Sequence, residues 1–178
     1  MSDLPQLRMR HSLASLPSVR PLPPGFTLRT AHRDDADGLA KVLTAAFDEP
    51  WTPERVQHGL LDDPGVPVTF LIEREGEIVA TASYQEQAEP DPMAGWVHWV
   101  GVHPDARGHG LGEIVSARVV AEAADRGRSC VLLTTDDPRL PAIRTYLKLG
   151  FVPDSWHGSH EKRWDGVMKK IGDGESSA

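Results

Sequence analysis

The sequence predicts a single α+β, or mixed α/β, domain in which one central, mixed and mostly antiparallel sheet carries helices on both faces. Three observations lead there. Two strand-like segments meet at Glu75-Gly76 in the form of a hairpin, two later strand-like segments alternate with segments of helical period, and 178 residues suit one core rather than two lobes.

Residues 1–24 mix Pro, Ser and Arg without a sustained period and run into Pro21, Pro23, Pro24 and Gly25. Proline lacks an amide donor and fixes its own backbone, so this stretch is expected to be an arm, flexible or packed on the fold or on a second subunit. The last arrangement is compatible with a homodimer. Phe26 to Arg29 reads as a short strand. Asp34 or Asp35 suits the cap of a helix whose apolar Leu39, Val42, Leu43 and Phe47 recur at helical spacing. Thr52-Pro53-Glu54 starts a second helix towards Leu61, with Thr as cap and Pro at the first helical position. Val68 to Glu73 and Glu77 to Gln85 read as strands, joined where Gly76 permits the positive φ of a tight turn.

After a stretch rich in Pro and acid at 88–95, Trp96 to Val102 reads as a strand closed by Pro104. A helix follows over about Leu111 to Arg126, with Leu111, Ile114, Val115, Val119 and Ala123 on one side and Gly127 at its stop. Cys130 to Thr134 has the length and continuous apolarity of a buried strand. Asp136 and Asp137 are expected to cap a last helix, which shares Leu140, Ile143 and Leu147 on one face and ends at Gly150. Phe151 and Val152 open another strand, and Gly166 to Ile171 is expected as the final one. The domain so drawn covers 25–172, and the small polar tail 173–178 is expected to be disordered.

With 39% hydrophobic and 25% charged residues the composition is that of a folded soluble domain rather than a disordered chain. Its formal net charge of −7 argues against nonspecific attraction to nucleic acid or to an anionic membrane, and is compatible with a cationic substrate. A single cysteine, Cys130, forms no intramolecular disulfide and no thiolate zinc cluster. Lying in an apolar strand, it is read as a structural thiol. No signal-type apolar stretch opens the chain, and no run approaches the ~18 apolar residues of a membrane span, so a cytoplasmic protein is expected.

The most informative segment is VGVHPDARGHGLGEIV, Val100 to Val115. Between a strand and a helix it sets Arg107, Gly108, His109, Gly110, Leu111 and Gly112, a loop small enough for backbone amides to converge on a polyanion at the positive end of the helix dipole. Arg107 adds charge-assisted hydrogen bonding. The phosphate loop of nucleoside triphosphatases needs Lys before Ser or Thr after its last glycine, whereas Gly112 is followed by Glu113 and Ile114. A dinucleotide loop needs Gly-x-Gly-x-x-Gly, but residue 113 is Glu.

What the segment resembles is the acyl-CoA pyrophosphate loop of the Gcn5-related N-acetyltransferase (GNAT) superfamily: Arg or Gln, two residues, Gly, one residue, Gly or Ala. Arg107, Gly110 and Gly112 match it in order, after a strand ending in Val100, Val102 and Pro104. PAIRTYLKLGF, Pro141 to Phe151, resembles the late Ala-Ile-x-x-Tyr-x-x-x-Gly-Phe helix of the same superfamily. One departure stands out. Arg139 occupies a position where the family commonly has an Asn that contacts the cofactor, and its guanidinium is a candidate phosphate contact instead.

The resemblance implies that the fourth and fifth strands counted from Phe26 splay into a V. The pantetheine arm of acetyl-CoA enters it, and backbone groups at Val100, Gly101 and Val102 bond that arm and the thioester carbonyl. It implies an acetyl-CoA-dependent N-acetyltransferase acting on a primary amine, chiefly of a small molecule, by direct attack in a ternary complex. Two alternatives stay open: a catalytically inactive CoA-binding module and a protein or peptide N-acetyltransferase. Tyr146 is the candidate general acid, since a phenol near pKa ~10 keeps its proton at neutral pH for the departing thiolate. His98 is the candidate base, expected on one strand face with Trp96 and Val100, because an imidazole near pKa ~6.5 is largely neutral at pH 7. Asp48, Glu49 and Trp51 are candidate acceptor contacts, a carboxylate beside an aromatic suiting an ammonium, with Tyr84 a further one. His157, His160 and Glu161 show no second shell for a metal, and none is expected.

Overall fold

The computed structural model describes residues 4–175. Its strands are β1 (Leu7–His11), β2 (Phe26–Thr30), β3 (Val68–Arg74), β4 (Glu77–Glu86), β5 (Ala94–Val102), β6 (Cys130–Thr135) and β7 (Val152–Asp154). Its helices are α1 (Ala36–Phe47), α2 (Pro53–Val56), which continues as a π turn over Gln57–Leu61, α3 (Leu111–Asp125), α4 (Leu140–Lys148) and α5 (His160–Glu175). The sheet order is β2-β3-β4-β5-β6-β1-β7, antiparallel throughout except for the parallel pair β5 and β6. This is the mixed, mostly antiparallel sheet expected. Leu39, Val42, Leu43, Val56 and Leu60 bury one face of it under α1 and α2, while α3, α4 and α5 share the larger core on the other.

Local sequence explains most of these elements. Glu75 and Gly76 both take positive φ, 55° and 82°, the two-residue turn whose twist suits a hairpin, and Arg74 pairs directly with Glu77. Thr52 accepts a hydrogen bond from the Arg55 amide at 3.2 Å and Pro53 takes the first helical position, so α2 starts as its sequence dictates.

Of the arrangements expected for 1–24, the described part takes the one packed on the fold, and it holds a strand that the proline density did not predict: Leu7–His11 enters the sheet between β6 and β7 and buries Leu7, Met9 and His11 on alternate positions. The prolines at 5, 17, 21, 23 and 24 all lie outside that strand, so they do not oppose its pairing. Gly166 to Ile171 is not a strand; Trp164, Val167 and Ile171 are buried at the spacing of one helix face, that of α5. That helix takes in residues 173–175 of the expected disordered tail, while 176–178 lie outside the described residues. Finally, neither expected acidic cap of α4 acts as one, since Arg139 holds the cap position. Asp136 accepts from Gln6 and pairs with Arg139, and Asp137 holds Arg163 of α5, so tertiary ion pairs take these carboxylates. Asp35 behaves similarly: it precedes α1 but binds the His32 amide and the Arg29 guanidinium. No helix among the described residues is long and apolar enough to cross a membrane.

Candidate active site

Strands β5 and β6 pair only over Ala94–Trp96 against Cys130–Leu132. Beyond that point β5 stays with β4 and β6 with β1, so the two diverge. The cause lies in β5. Its register against β4 shifts between Thr81 and Ser83, and Trp99 takes φ of 48°, so the strand bulges at Trp99. A cleft of about 900 Å³ occupies the opening. On one side it is lined by Val97, His98, Trp99, Val100 and Val102 of β5, on the other by Thr134, Thr135 and the first two turns of α4, and at its end by the glycine loop before α3.

The glycine loop has the conformation its sequence demands. Gly108 and Gly110 take φ of 83° and 72°, and Gly110 is the left-handed residue immediately before α3, where a side chain would be strained. The first amides of a helix have no intrahelical partner, so those at the start of α3 face the cleft end unpaired by the helix. Arg107, Gly108, Gly110, Leu111 and Gly112 all line the cleft. The His109 side chain does not: it packs on Phe26 at 5.2 Å between centroids, with Nδ1 3.2 Å from the Ala106 and Arg107 carbonyls. Gly101 is likewise outside the lining, and a Cβ there would meet Ala46, Leu43 and Phe47 of α1.

His98 and Tyr146 come together on this one cleft. The bulge alters the expected faces. Val100 joins the core under α3, while Trp99 joins the aromatic group under α1, so His98 does not share its face with Val100. His98 lies against the Trp99 ring at 4.8 Å. Burial holds its imidazole down at about 4, against which the nearby Asp63 carboxylate pulls upward, so the ring is neutral across the ordinary pH range. Tyr146 is 8% exposed, with its ring against Phe151, and its hydroxyl makes no hydrogen bond among the described residues. Burial pushes its phenol up to about 12, with the Arg139 cation working in the opposite sense.

The remaining predicted residues divide. Arg139 lines the cleft, with its guanidinium 4.6 Å over the Phe47 ring and Nε 3.4 Å from Asp136. Glu49 lines it too, but already accepts from the Trp51 indole at 3.0 Å and from Arg55 at 2.9 Å. Trp51 is 7% exposed and stands behind the lining, held between Arg55 at 3.7 Å and the edge of Trp99. Asp48 is the exposed left-handed residue ending α1 and does not reach the cleft. Tyr84 is fully buried in the α3 core, donating to Glu86 and accepting from Arg128, and is likewise outside the cleft. Burial therefore removes it from the acceptor candidates. Sequence reading missed Trp99, whose neighbour His98 suggests alternation until the bulge sets both on one side. It also missed Gln6 and Arg20, which reach the cleft from the stretch read as an arm. Only the arginines and glutamine themselves were legible there, since nothing local tells where a proline-rich connection crosses a fold.

A family model described as the Acetyltransferase (GNAT) family matches residues 36–151. Mycothiol acetyltransferase from Thermomonospora curvata is 36% identical over 158 residues, which cover 82% of this chain and 51% of the relative. The Nocardia farcinica protein of the same name is 33% identical over 161 residues, covering 82% and 52%. This chain thus spans about half the length of the curated relatives it matches. A solved GCN5-related N-acetyltransferase from Sphaerobacter thermophilus aligns with a TM-score of 0.68 at 28% identity, over 85% of this chain and 50% of that one.

Proposed function

The chain belongs to the GNAT acetyltransferase family, and on that premise we propose that it moves acetyl from acetyl-CoA to a primary amine of a small molecule, by direct attack in a ternary complex. The observation that carries the proposal is one cleft lined by the glycine loop, the splayed part of β5, a neutral imidazole and an unpartnered phenol. Acetyl-CoA fits the residues present. Gly110 and Gly112 leave the loop backbone open to a diphosphate, Arg107 supplies charge, and β5 past Trp96 has no β6 partner for its backbone groups. The loop from Arg107 to Gly112, His109 through its backbone alone, binds the diphosphate. Val100, Gly101 and Val102 offer backbone to the pantetheine arm and the thioester oxygen, and Arg139 is a further cation at the cleft. The relatives' names support a small-molecule acceptor.

The co-substrate supplies the thioester. Fixed backbone dipoles of β5 stabilise the negative charge that develops on its oxygen, without reorganising as water must. The amine nitrogen forms its bond to the acetyl carbon and the carbon–sulfur bond breaks. His98 Nε2 or Nδ1, neutral before attack, accepts the proton the nitrogen then sheds; at about 4 the imidazolium is a strong acid and hands that proton on to solvent. Tyr146 donates to the departing sulfur. With its phenol near 12 against roughly 8.5 for a free thiol, the phenol keeps most of its proton, so Tyr146 stabilises the thiolate chiefly as a hydrogen-bond donor while solvent completes its protonation. Glu49 with the Trp99 and Phe47 rings, backed by Trp51, forms the wall at the acceptor side.

Thiol release from acetyl-CoA across a panel of small primary amines tests the reading. Release that requires both protein and amine is expected. Tight acetyl-CoA binding with no release on any amine would instead identify a CoA-binding module without turnover.

A further inference from the structure

We propose that residues 12–25 form a strap across the start of α3 and that Arg20 on it is a second cation for the diphosphate of acetyl-CoA. This rests on reading the cleft as the acetyl-CoA site. The strap connects β1, next to one edge of the sheet, with β2 at the opposite edge, so it must cross the molecule. It crosses on the α3 side, because Leu13, Val19 and Leu22 pack against the core beneath that helix, and it ends where Phe26 meets the His109 ring. Between Val19 and Leu22 these contacts fix the strap, and Arg20 projects from it into the cleft lining.

The guanidinium arrives at one particular place. A Cβ built on Gly110 would lie 3.0 Å from Arg20 Nε and 3.2 Å from its central carbon, so the cation stands directly over the left-handed glycine of the phosphate loop. No carboxylate pairs with Arg20 among the described residues, although nine other arginines and one histidine are in ion pairs. An unpaired cation held over Gly110, at the positive end of α3, is matched by an anion bridging the two. The planar donors of arginine suit phosphate oxygens, and the absent side chain of Gly110 leaves the place that the guanidinium takes.

The test is acetyl-CoA binding by calorimetry to the full chain, repeated with dephospho-acetyl-CoA, which keeps the diphosphate and lacks the 3′-phosphate. Arg20→Gln is expected to weaken acetyl-CoA about tenfold, the size of one charge-assisted contact, and Arg20→Lys to restore part of that loss. The same ratio is expected with dephospho-acetyl-CoA, and added salt should shrink it. Thermal unfolding near the wild-type midpoint establishes that the strap stays packed. Binding by Arg20→Gln within twofold of a wild type that itself binds would overturn the role of Arg20. A loss that disappears with dephospho-acetyl-CoA would move the contact to the 3′-phosphate and overturn the diphosphate assignment. A wild type that binds neither compound removes the acetyl-CoA reading itself.

Discussion

At the scale of single residues, His98 and Tyr146 illustrate how burial sets what a group is able to do. The imidazole of His98 is held near 4 by desolvation, so its own titration gives no activity limb near the free imidazole value. Between pH 6 and 9, kcat/KM is therefore expected to follow the deprotonation of the amine, and to shift when an amine of different basicity is used. His98→Gln should lower the plateau by at least about tenfold while leaving the limb where it is. A plateau within twofold of wild type would leave His98 a structural neighbour of Trp99. Tyr146→Phe preserves the ring contact with Phe151 and deletes the donor, so a loss of about 10²-fold in kcat with little change in acetyl-CoA affinity is expected. Loss of affinity in place of rate, read by calorimetry beside steady-state kinetics, would make Tyr146 a packing residue.

Among the elements, what was legible in the sequence is what local physics determines. The Glu75-Gly76 hairpin, the Thr52 and Pro53 helix start and the glycine loop each follow from the backbone preferences of a few adjacent residues, and the structure holds all three. The splayed pair was legible only through likeness to a family, because strand divergence depends on partners far away in the chain. The misses share that cause. β1 is a five-residue strand whose alternation of Leu7, Met9 and His11 is too brief to stand out from its proline-rich surroundings, and its place in the sheet is decided by β6 and β7. α5 was mistaken because its apolar positions are separated by charged residues and only docking shows which period they keep. At the site, the residues that lined up by motif reached the cleft except Gly101 and the His109 side chain, whereas of those chosen by residue type Glu49 reached it and Asp48, Trp51 and Tyr84 did not. The bulge at Trp99 is the clearest limit. One inserted residue reverses the side on which everything after it falls, and no residue in HWVGV announces it.

For the whole molecule, the buried histidines and the paired carboxylates together set how the fold answers acid. His11 is 4% exposed and held below its ordinary value by desolvation, against a backbone hydrogen bond with Leu149 that works the other way, and His98 is held near 4. In the unfolded chain both take protons as pH falls through about 6.5, while the folded protein keeps them neutral to lower pH. The unfolded state then binds more protons, so stability falls with pH from about 6.5 until the folded values are reached, and below those values the cost stays constant. Asp35 and Asp137 act in a lower window. Hydrogen bonds from Arg29 and Arg163 depress them, so their contribution is complete above about 3.9 and is lost only as pH falls through the depressed values. Acid destabilisation in two stages is expected, with histidines responsible for the first. His11 and His98 each contribute a slope of up to about 1.4 kcal/mol per pH unit, the value for one proton taken up. Removing one should flatten the curve of unfolding free energy between pH 6.5 and 4.5 even where it lowers the whole curve. His11 accepts from the Leu13 amide at 3.1 Å and so ties down the beginning of the strap, which makes a lowered curve certain in His11→Gln and leaves the slope as the informative quantity. Denaturant unfolding of wild type, His11→Gln and His98→Gln at closely spaced pH values measures it. Curves that run parallel through this window would show that neither histidine stays neutral on folding, and would assign the early acid loss to other groups.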